Sequence, residues 1–133
     1  MHTYEDLDSG ICVDVAKLFE AAEENQVVNV EVKEFVENGY LREYCWEDDV
    51  MWIISPQEVL DNPERYKKHW DRIQKADVGY PIFLYRDDKK LHLVDGRHRL
   101  AHAVHHKHET ILCTFLTKEQ VDACSLPSLP KEM

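Results

Sequence analysis

Apolar residues recur along the N-terminal part of the chain with two different spacings. Residues 11–24 place four apolar side chains on one helical face, which predicts a helix: Val15, Leu18, Phe19 and Ala22. Asp14 lies near the start of that helix, where acidic side chains are favoured. Residues 28–32 instead alternate valine with polar residues, which predicts a short strand with one solvated face.

The middle of the chain contains further strand and helix signals. Val50 to Ile54 form an apolar run that ends at Ser55-Pro56, which predicts a strand stopped by proline. Ser55 is the expected cap of a short helix over residues 56–60, with proline at its first position. A longer helix is predicted over residues 64–76, with Tyr66, Trp70 and Ile73 on its apolar face.

The remaining elements predict an α+β fold. Ile82–Tyr85 and Leu91–Val94 are predicted to pair as a β-hairpin, and a helix is expected over residues 97–106. A third strand at residues 110–115 follows, and Thr117 with Gln120 predicts a capping box that begins a short last helix. We therefore expect one domain over residues 1–133, with a small mixed sheet flanked by helices.

Composition restricts the class of protein. The chain has 133 residues, of which 44% are hydrophobic and 32% charged, as expected for one folded domain. No apolar run approaches the roughly 18–20 residues that cross a bilayer, and MHTYEDLDSG has no apolar signal-peptide core. The four cysteines (Cys12, Cys45, Cys113, Cys124) form no CxxC pair, so a reducing cytoplasm is the expected compartment.

The net charge of −10 is unevenly distributed along the chain. Residues 1–62 contain 16 acidic and 3 basic side chains, whereas residues 63–118 contain 7 acidic and 12 basic ones. This asymmetry indicates an anion-binding half beside an acidic half, or simply two differently solvated faces. A group of basic side chains on the helix at 64–76 offers a similar choice, between a groove wall for nucleic acid or nucleotide and a solvated face: Lys67, Lys68, Arg72 and Lys75.

The stretch Asp95-Gly96-Arg97-His98-Arg99 carries the candidate chemistry. An apolar strand runs into Asp-Gly and a helix begins at once, so the N–H groups of its first turn, with their partial positive charge, suit a phosphate. Arg97 and Arg99 add guanidinium donors that match phosphate oxygens. His98 could hydrogen-bond a phosphate or act as an acid or base, and Asp95 could hold Mg²⁺ or orient a nucleophile.

Each of these residues also has a structural interpretation. Asp95 could serve only as a helix cap, and Gly96 could serve only as a turn residue. Arg97 could be a surface residue, and Arg99 could pair with an internal carboxylate. The coincidence of strand, glycine, helix start and two arginines favours a site over any single residue taken alone.

In these residues the chain resembles the ParB/sulfiredoxin-like superfamily, in its ParB-like nuclease domain group. The resemblance covers residues 50–121: a strand ending in Ser-Pro, a helix, a Pro-Ile hairpin, Asp-Gly-Arg-His-Arg-Leu, a helix and a Glu-Thr-Ile strand. Small stand-alone members of this kind are carried by phages and bacteria. The resemblance implies that Gly96, Arg97, His98 and Arg99 hold the phosphates of a nucleotide. Residues 1–49 and the expected frayed tail at 122–133 lie outside it.

The chain departs from two branches of that family. Sulfiredoxins have a catalytic cysteine directly after the glycine, where this chain has Arg97, so reduction of a sulfinic acid is not expected. The CTP-binding partition proteins have Gly-Glu-Arg-Arg-x-Arg, and of its charged residues only Arg99 remains here. No helix-turn-helix domain follows the motif. Other relatives are phosphotransferases or nucleases, and Asp95 with His98 is compatible with either activity.

Six of the eight histidines lie between positions 92 and 108. His98 and His102 are four residues apart, so they share a helix face and could bind one metal ion together with Asp95. The alternative is that His98 faces a ligand while His102 or His105 is partly buried and hydrogen-bonded. The three tryptophans, Trp46, Trp52 and Trp70, are expected in the core rather than as platforms for bases.

Three functions follow as expectations. The first is binding of a nucleotide triphosphate or a phosphorylated small molecule, with Mg²⁺ and phosphoryl transfer or phosphodiester hydrolysis catalysed by Asp95 and His98. The second is a DNA-acting nuclease. The third is a non-enzymatic interaction protein whose acidic residues 1–49 bind a basic protein partner. No membrane partner is expected, and the expected location is the cytoplasm of a bacterial or phage-infected cell.

Overall fold

The computed structural model describes residues 3–6, 11–43, 45–47, 53–88 and 90–125. Trp52, most of the predicted strand at 50–54 and the tail from residue 126 lie outside these residues. Within them, the strands are β1 (Thr3–Asp6), β2 (Ile11–Asp14), β3 (Val27–Glu31), β4 (Trp46–Glu47), β5 (Ile53–Ile54), β6 (Ile82–Arg86), β7 (Leu91–Asp95) and β8 (Thr110–Phe115). The helices are α1 (Val15–Ala21), α2 (Val32–Glu37), α3 (Pro56–Asp61), α4 (Lys67–Lys75), α5 (Arg97–His105) and α6 (Lys118–Ala123), with a 3-10 turn at Tyr40–Arg42.

The fold is α+β, as the sequence predicts. A four-stranded sheet has the order β3-β8-β6-β7, and β1-β2 and β4-β5 form two further strand pairs. The predicted hairpin is confirmed, because β6 and β7 run antiparallel with Leu84 opposite Leu93. The register shifts between Phe83 and Leu84, which places Phe83 opposite Asp95. The narrower ParB/sulfiredoxin-like assignment stays a prediction.

Local capping residues define where three of the helices begin. Asp14 accepts a hydrogen bond from the N–H of Ala16 at 3.0 Å, and Ser55 Oγ accepts one from the N–H of Glu58 at 3.2 Å. Pro56 holds the first position of α3, where its missing N–H costs nothing. The capping box of α6 is present as predicted.

Two of the predicted helix boundaries are wrong. Residues 11–14 form a strand rather than the first turn of a helix, because β2 pairs with β1 from Thr3↔Asp14 to Asp6↔Ile11. Helix α4 begins at Lys67 rather than near residue 64, since the N–H groups of Arg65 and Tyr66 both bond to the carbonyl of Asn62 in a preceding turn.

The chain divides into two compact units that are each built from separate segments. The first consists of residues 1–27, 83–95 and 114–133. Its core is a cluster of buried side chains: Val15, Leu18, Ala22, Phe83, Tyr85, Val94, Leu116, Val121 and Cys124. The acidic residues 1–49 are divided between the two units: residues 1–27 belong to the first and residues 28–49 to the second.

The second unit consists of residues 28–82 and 96–113. In it α5 packs against α2, α3 and α4, and α3 also packs against the 3-10 turn. Its core includes Phe35, Leu41, Ile54, Val59, Ile73 and Leu100, each with 2% or less of its surface exposed. No helix of the described residues is both long enough and apolar enough to span a membrane.

Candidate functional site

The glycine at the start of α5 is required by its surroundings. Gly96 has φ 114° and ψ 21°, a left-handed conformation that favours glycine. A Cβ at this position would lie 2.4 Å from Ile82 Cγ2 and 3.1 Å from Ile82 Cα. The predicted sharp turn is therefore present, and close packing against Ile82 is enough to account for the glycine.

Gly96, not Asp95, holds the N-cap position of α5. Glycine has no side chain, so the N-cap residue itself contributes no side-chain hydrogen bond to the first N–H groups of this nine-residue helix. Asp95 is the last residue of β7, opposite Phe83. Asp95 thus lies in the first compact unit, whereas Gly96 to Arg99 lie in the second.

The two arginines of the motif are held by contacts within the second unit. Only 15% of the Arg97 side chain is exposed, and its Nη2 lies 3.4 Å from Glu43 Oε1. Arg99 Nη1 donates a 2.9 Å hydrogen bond to the carbonyl of Pro81, so a backbone group is one partner of this side chain. Both guanidinium groups are therefore positioned by the fold instead of extending freely into solvent.

His98 lies in a stack of aromatic rings. Its ring centroid is 4.1 Å from that of Trp46, and the two planes differ by 14°. Trp46 also stacks on His69, with 4.7 Å between centroids. His98 Nε2 and His69 Nδ1 are 3.2 Å apart, so one of these nitrogens donates a hydrogen bond to the other. Trp46 is half-buried, and it contacts the site as well as the interior.

The electrostatic surroundings of His98 are positive. Burial, followed by the charges of His69, Arg72 and Arg99, lowers the pKa of His98 to about 4. The imidazole is therefore neutral at pH 7, so it is not available as a protonated acid, and it is a weaker base than a free imidazole. Arg72 lies on α4 and is exposed. It is one of the four basic side chains of this helix for which the sequence left a solvated face as the alternative.

His69 is the site residue that sequence reasoning missed. It is 9% exposed and lies four residues before the buried Ile73, so both belong to the inner face of α4. This four-residue spacing from Ile73 was the signal in the sequence that could have placed His69 on the buried face of the helix. The residue that His69 contacts, His98, follows 29 positions later, and nothing in the local pattern identifies it.

The structure gives His98 and His102 separate partners. His102 Nδ1 donates a 2.7 Å hydrogen bond to the carbonyl of Ile73, while His98 bonds to His69. In the described ranges, no group of three or more His, Cys, Asp or Glu side chains is arranged to hold a metal ion. Metal binding by this pair with Asp95 stays a prediction that the geometry does not favour.

Cys45 lies close enough to Arg97 and Glu43 for both charges to affect the pKa of its thiol. Burial is the dominant influence, and it raises the pKa of this thiol to about 12. The thiol is therefore protonated at neutral pH and a poor nucleophile.

The chain matches no protein-family model, and neither the curated proteins nor the solved structures contain a significant match to it.

Proposed function

We propose that this protein binds a nucleotide or another phosphorylated small molecule at the start of α5. The observation that carries this proposal is the positive charge around His98. His98 lies in the first turn of α5, which begins directly after Gly96. The charges of Arg99, in the same turn, and of Arg72, on α4, both lower the pKa of the His98 imidazole. Guanidinium groups and the N–H groups of a helix start are the donors that phosphate oxygens prefer.

Each residue has a distinct part in the proposed site. The N–H groups that follow Gly96 would bind one phosphate, and Arg97 and Arg99 would neutralise its charge. His98, neutral at pH 7, would donate or accept one hydrogen bond, and its stacking on Trp46 would fix the ring orientation. The resemblance to ParB/sulfiredoxin-like proteins supports the same assignment.

The reaction class we propose is phosphoryl transfer or phosphodiester hydrolysis. A neutral His98 would act as the proton acceptor for a nucleophile, and Asp95, which precedes Gly96 in the sequence, is the proposed second catalytic group. Mg²⁺ is commonly held by one or two carboxylates together with substrate phosphates. The described side chains include no ready-made metal cage. Mg²⁺ would therefore bind with the nucleotide rather than as a resident ion.

Titration of the ¹⁵N-labelled protein with ATP, CTP, GTP and inorganic triphosphate, with and without Mg²⁺, tests the proposal. We expect the largest amide shifts at residues 96–99 and a higher melting temperature, since a ligand at 100 times its Kd adds about 2.7 kcal/mol of stability. Arg72→Gln is expected to weaken binding, whereas Lys75→Gln, on the same exposed side of α4, serves as the matched control. If none of these compounds shifts the amides of residues 96–99, the proposal is wrong.

A DNA-acting nuclease is the second candidate, favoured by the exposed basic side chains on α4. Lys68, Arg72 and Lys75 are all exposed and lie along one side of the helix. A DNA groove bound through several phosphates would release counterions, so affinity would fall steeply between about 50 and about 200 mM salt. Binding of a DNA duplex with that salt dependence, together with Mg²⁺-dependent cleavage, would favour this candidate over the small-molecule one. The basic-partner hypothesis for residues 1–49 stays a prediction.

A further inference from the structure

A cavity of about 530 Å³ lies at the end of α5 that is remote from Gly96. The helix rises about 1.5 Å per residue, so Val104 in the cavity lining is roughly 10 Å along the axis from Arg97. The cavity belongs entirely to the second compact unit, and α2, α5 and the first residue of β8 contribute to its lining. It is therefore a separate place from the proposed phosphate site.

Nine of the described residues line the cavity: three are valines, three are glutamates, and the others are Lys33, His108 and Thr110. Val32, Val36 and Val104 supply apolar surface, and 44% of Val36 is exposed although its side chain is hydrophobic. The acidic members of the lining are Glu31, Glu37 and Glu109, which are all exposed. Small-molecule sites typically have volumes of roughly 300–1,000 Å³ and apolar walls with a few polar groups, as here.

The electrostatic character of the cavity favours a cation. Lys33 Nζ lies 3.2 Å from Glu31 Oε2, and Glu31, Glu37 and Glu34 together raise the pKa of Lys33. Glu37 and Glu109 form no ion pair with any described residue. Helix α5 also ends at this cavity, with Val104 in its last turn, and the carbonyl groups of a helix C-terminus carry partial negative charge.

We propose that this cavity binds a small organic cation, an amine with an apolar body, whose hydrocarbon part contacts the three valines and whose ammonium group faces Glu37 and Glu109. Burial of the apolar body supplies most of the affinity, because it removes apolar surface of both ligand and valines from water. The carboxylates supply selectivity for positive charge over a neutral or anionic compound of the same shape.

Three probes that share one apolar body separate these contributions: 4-phenylbutylamine, its N-acetyl derivative and 4-phenylbutyrate. In ¹⁵N NMR titrations we expect the amine to shift the amides of Val36, Val104 and Glu109, with the neutral derivative binding more weakly and the carboxylate not at all. Glu37→Gln and Glu109→Gln are each expected to weaken amine binding about two- to fivefold, the size of effect typical of a solvent-screened ion pair.

Two further variants complete the test. Glu34→Gln removes an exposed carboxylate that lies on the same helix but outside the lining. Because solvent and salt screen a charge at that distance, the variant is expected to keep its affinity for the amine within about twofold of the parent. Val36→Lys places an ammonium group in the cavity at an exposed position and is expected to abolish amine binding without lowering the melting temperature. The proposal is overturned if the amine and its acetyl derivative bind equally, if Glu34→Gln weakens binding as much as Glu109→Gln, or if a lysine-containing peptide binds there and the amine does not.

Discussion

Two glycines in the described part of the chain have left-handed backbones but different surroundings. Gly39 has φ 80°, and a Cβ added there would meet nothing within 4 Å, whereas a Cβ on Gly96 would overlap Ile82. Gly39→Ala should therefore cost only the strain of the left-handed conformation, about 1–2 kcal/mol. Gly96→Ala adds a steric clash with a buried neighbour and should cost about 2–5 kcal/mol in total. Urea unfolding of both variants gives the comparison, and equal losses would show that the contact with Ile82 is unimportant.

His98 makes stability depend on pH in a defined window. Its pKa is lowered to about 4 in the folded protein, mainly by burial, whereas an unfolded histidine titrates near pH 6.5. Between these values the unfolded chain binds more protons, so the free energy of unfolding decreases as the pH falls from about 6.5 to about 4. The loss attributable to His98 has an upper limit of about 3 kcal/mol, because the side chain is partly exposed to solvent.

The difference between the parent and His98→Phe isolates this residue from the other histidines. Phenylalanine keeps a ring against Trp46 but cannot titrate, so the variant should lose less stability on acidification than the parent. NMR titration of the His98 ring supplies a second readout, and Arg72→Gln should raise its pKa because the Arg72 charge contributes to lowering it. A ring that titrates near pH 6.5 in the parent would contradict the assigned environment.

At the scale of single elements, local signals explain what could be predicted. Strand β8 has the predicted bounds, Thr110–Phe115, because a turn and a capping residue flank an apolar run. Residues 11–14 fall within the stretch predicted as a helix, because their strand conformation depends on pairing with β1, which no local spacing reveals. The same limit applies to the site: Gly96, Arg97 and Arg99 stand out in the sequence, whereas His69 and Arg72 come near His98 only through the packing of α4 on α5.

Helix α6 illustrates how one polar residue can serve more than its own helix. Thr117 Oγ accepts a hydrogen bond from the N–H of Gln120, while Gln120 Oε1 accepts one from the N–H of Thr117. Gln120 Nε2 also donates to the carbonyl of Ala21 and to Asn25 Oδ1. Thr117→Ala should therefore cost about 1 kcal/mol, the usual value for a lost cap, and Gln120→Ala should cost more. Thermal unfolding of the two variants tests this order, and a larger loss for Thr117→Ala would refute it.

At the scale of the whole molecule, three strands contain a boundary between the two compact units. The divisions at 27/28, 82/83 and 113/114 fall within β3, β6 and β8. If one unit unfolded alone, each of these three strands would unfold in part, because its other residues belong to the folded unit. The hydrogen bonds of the strand would then break. We expect the units to unfold together, which is how the single domain predicted over residues 1–133 would behave.

Buried cysteines report on each unit separately. Burial raises the pKa of Cys113 to about 12 and also raises that of Cys124, so both thiols should react slowly with iodoacetamide in the folded protein. Cys113 lies in the second unit and Cys124 in the first. If unfolding is cooperative, labelling measured by mass spectrometry should rise at the same urea concentration for both cysteines. Two separate midpoints would instead mean that the strands at the boundaries do not couple the units, and the prediction of one domain would then be wrong.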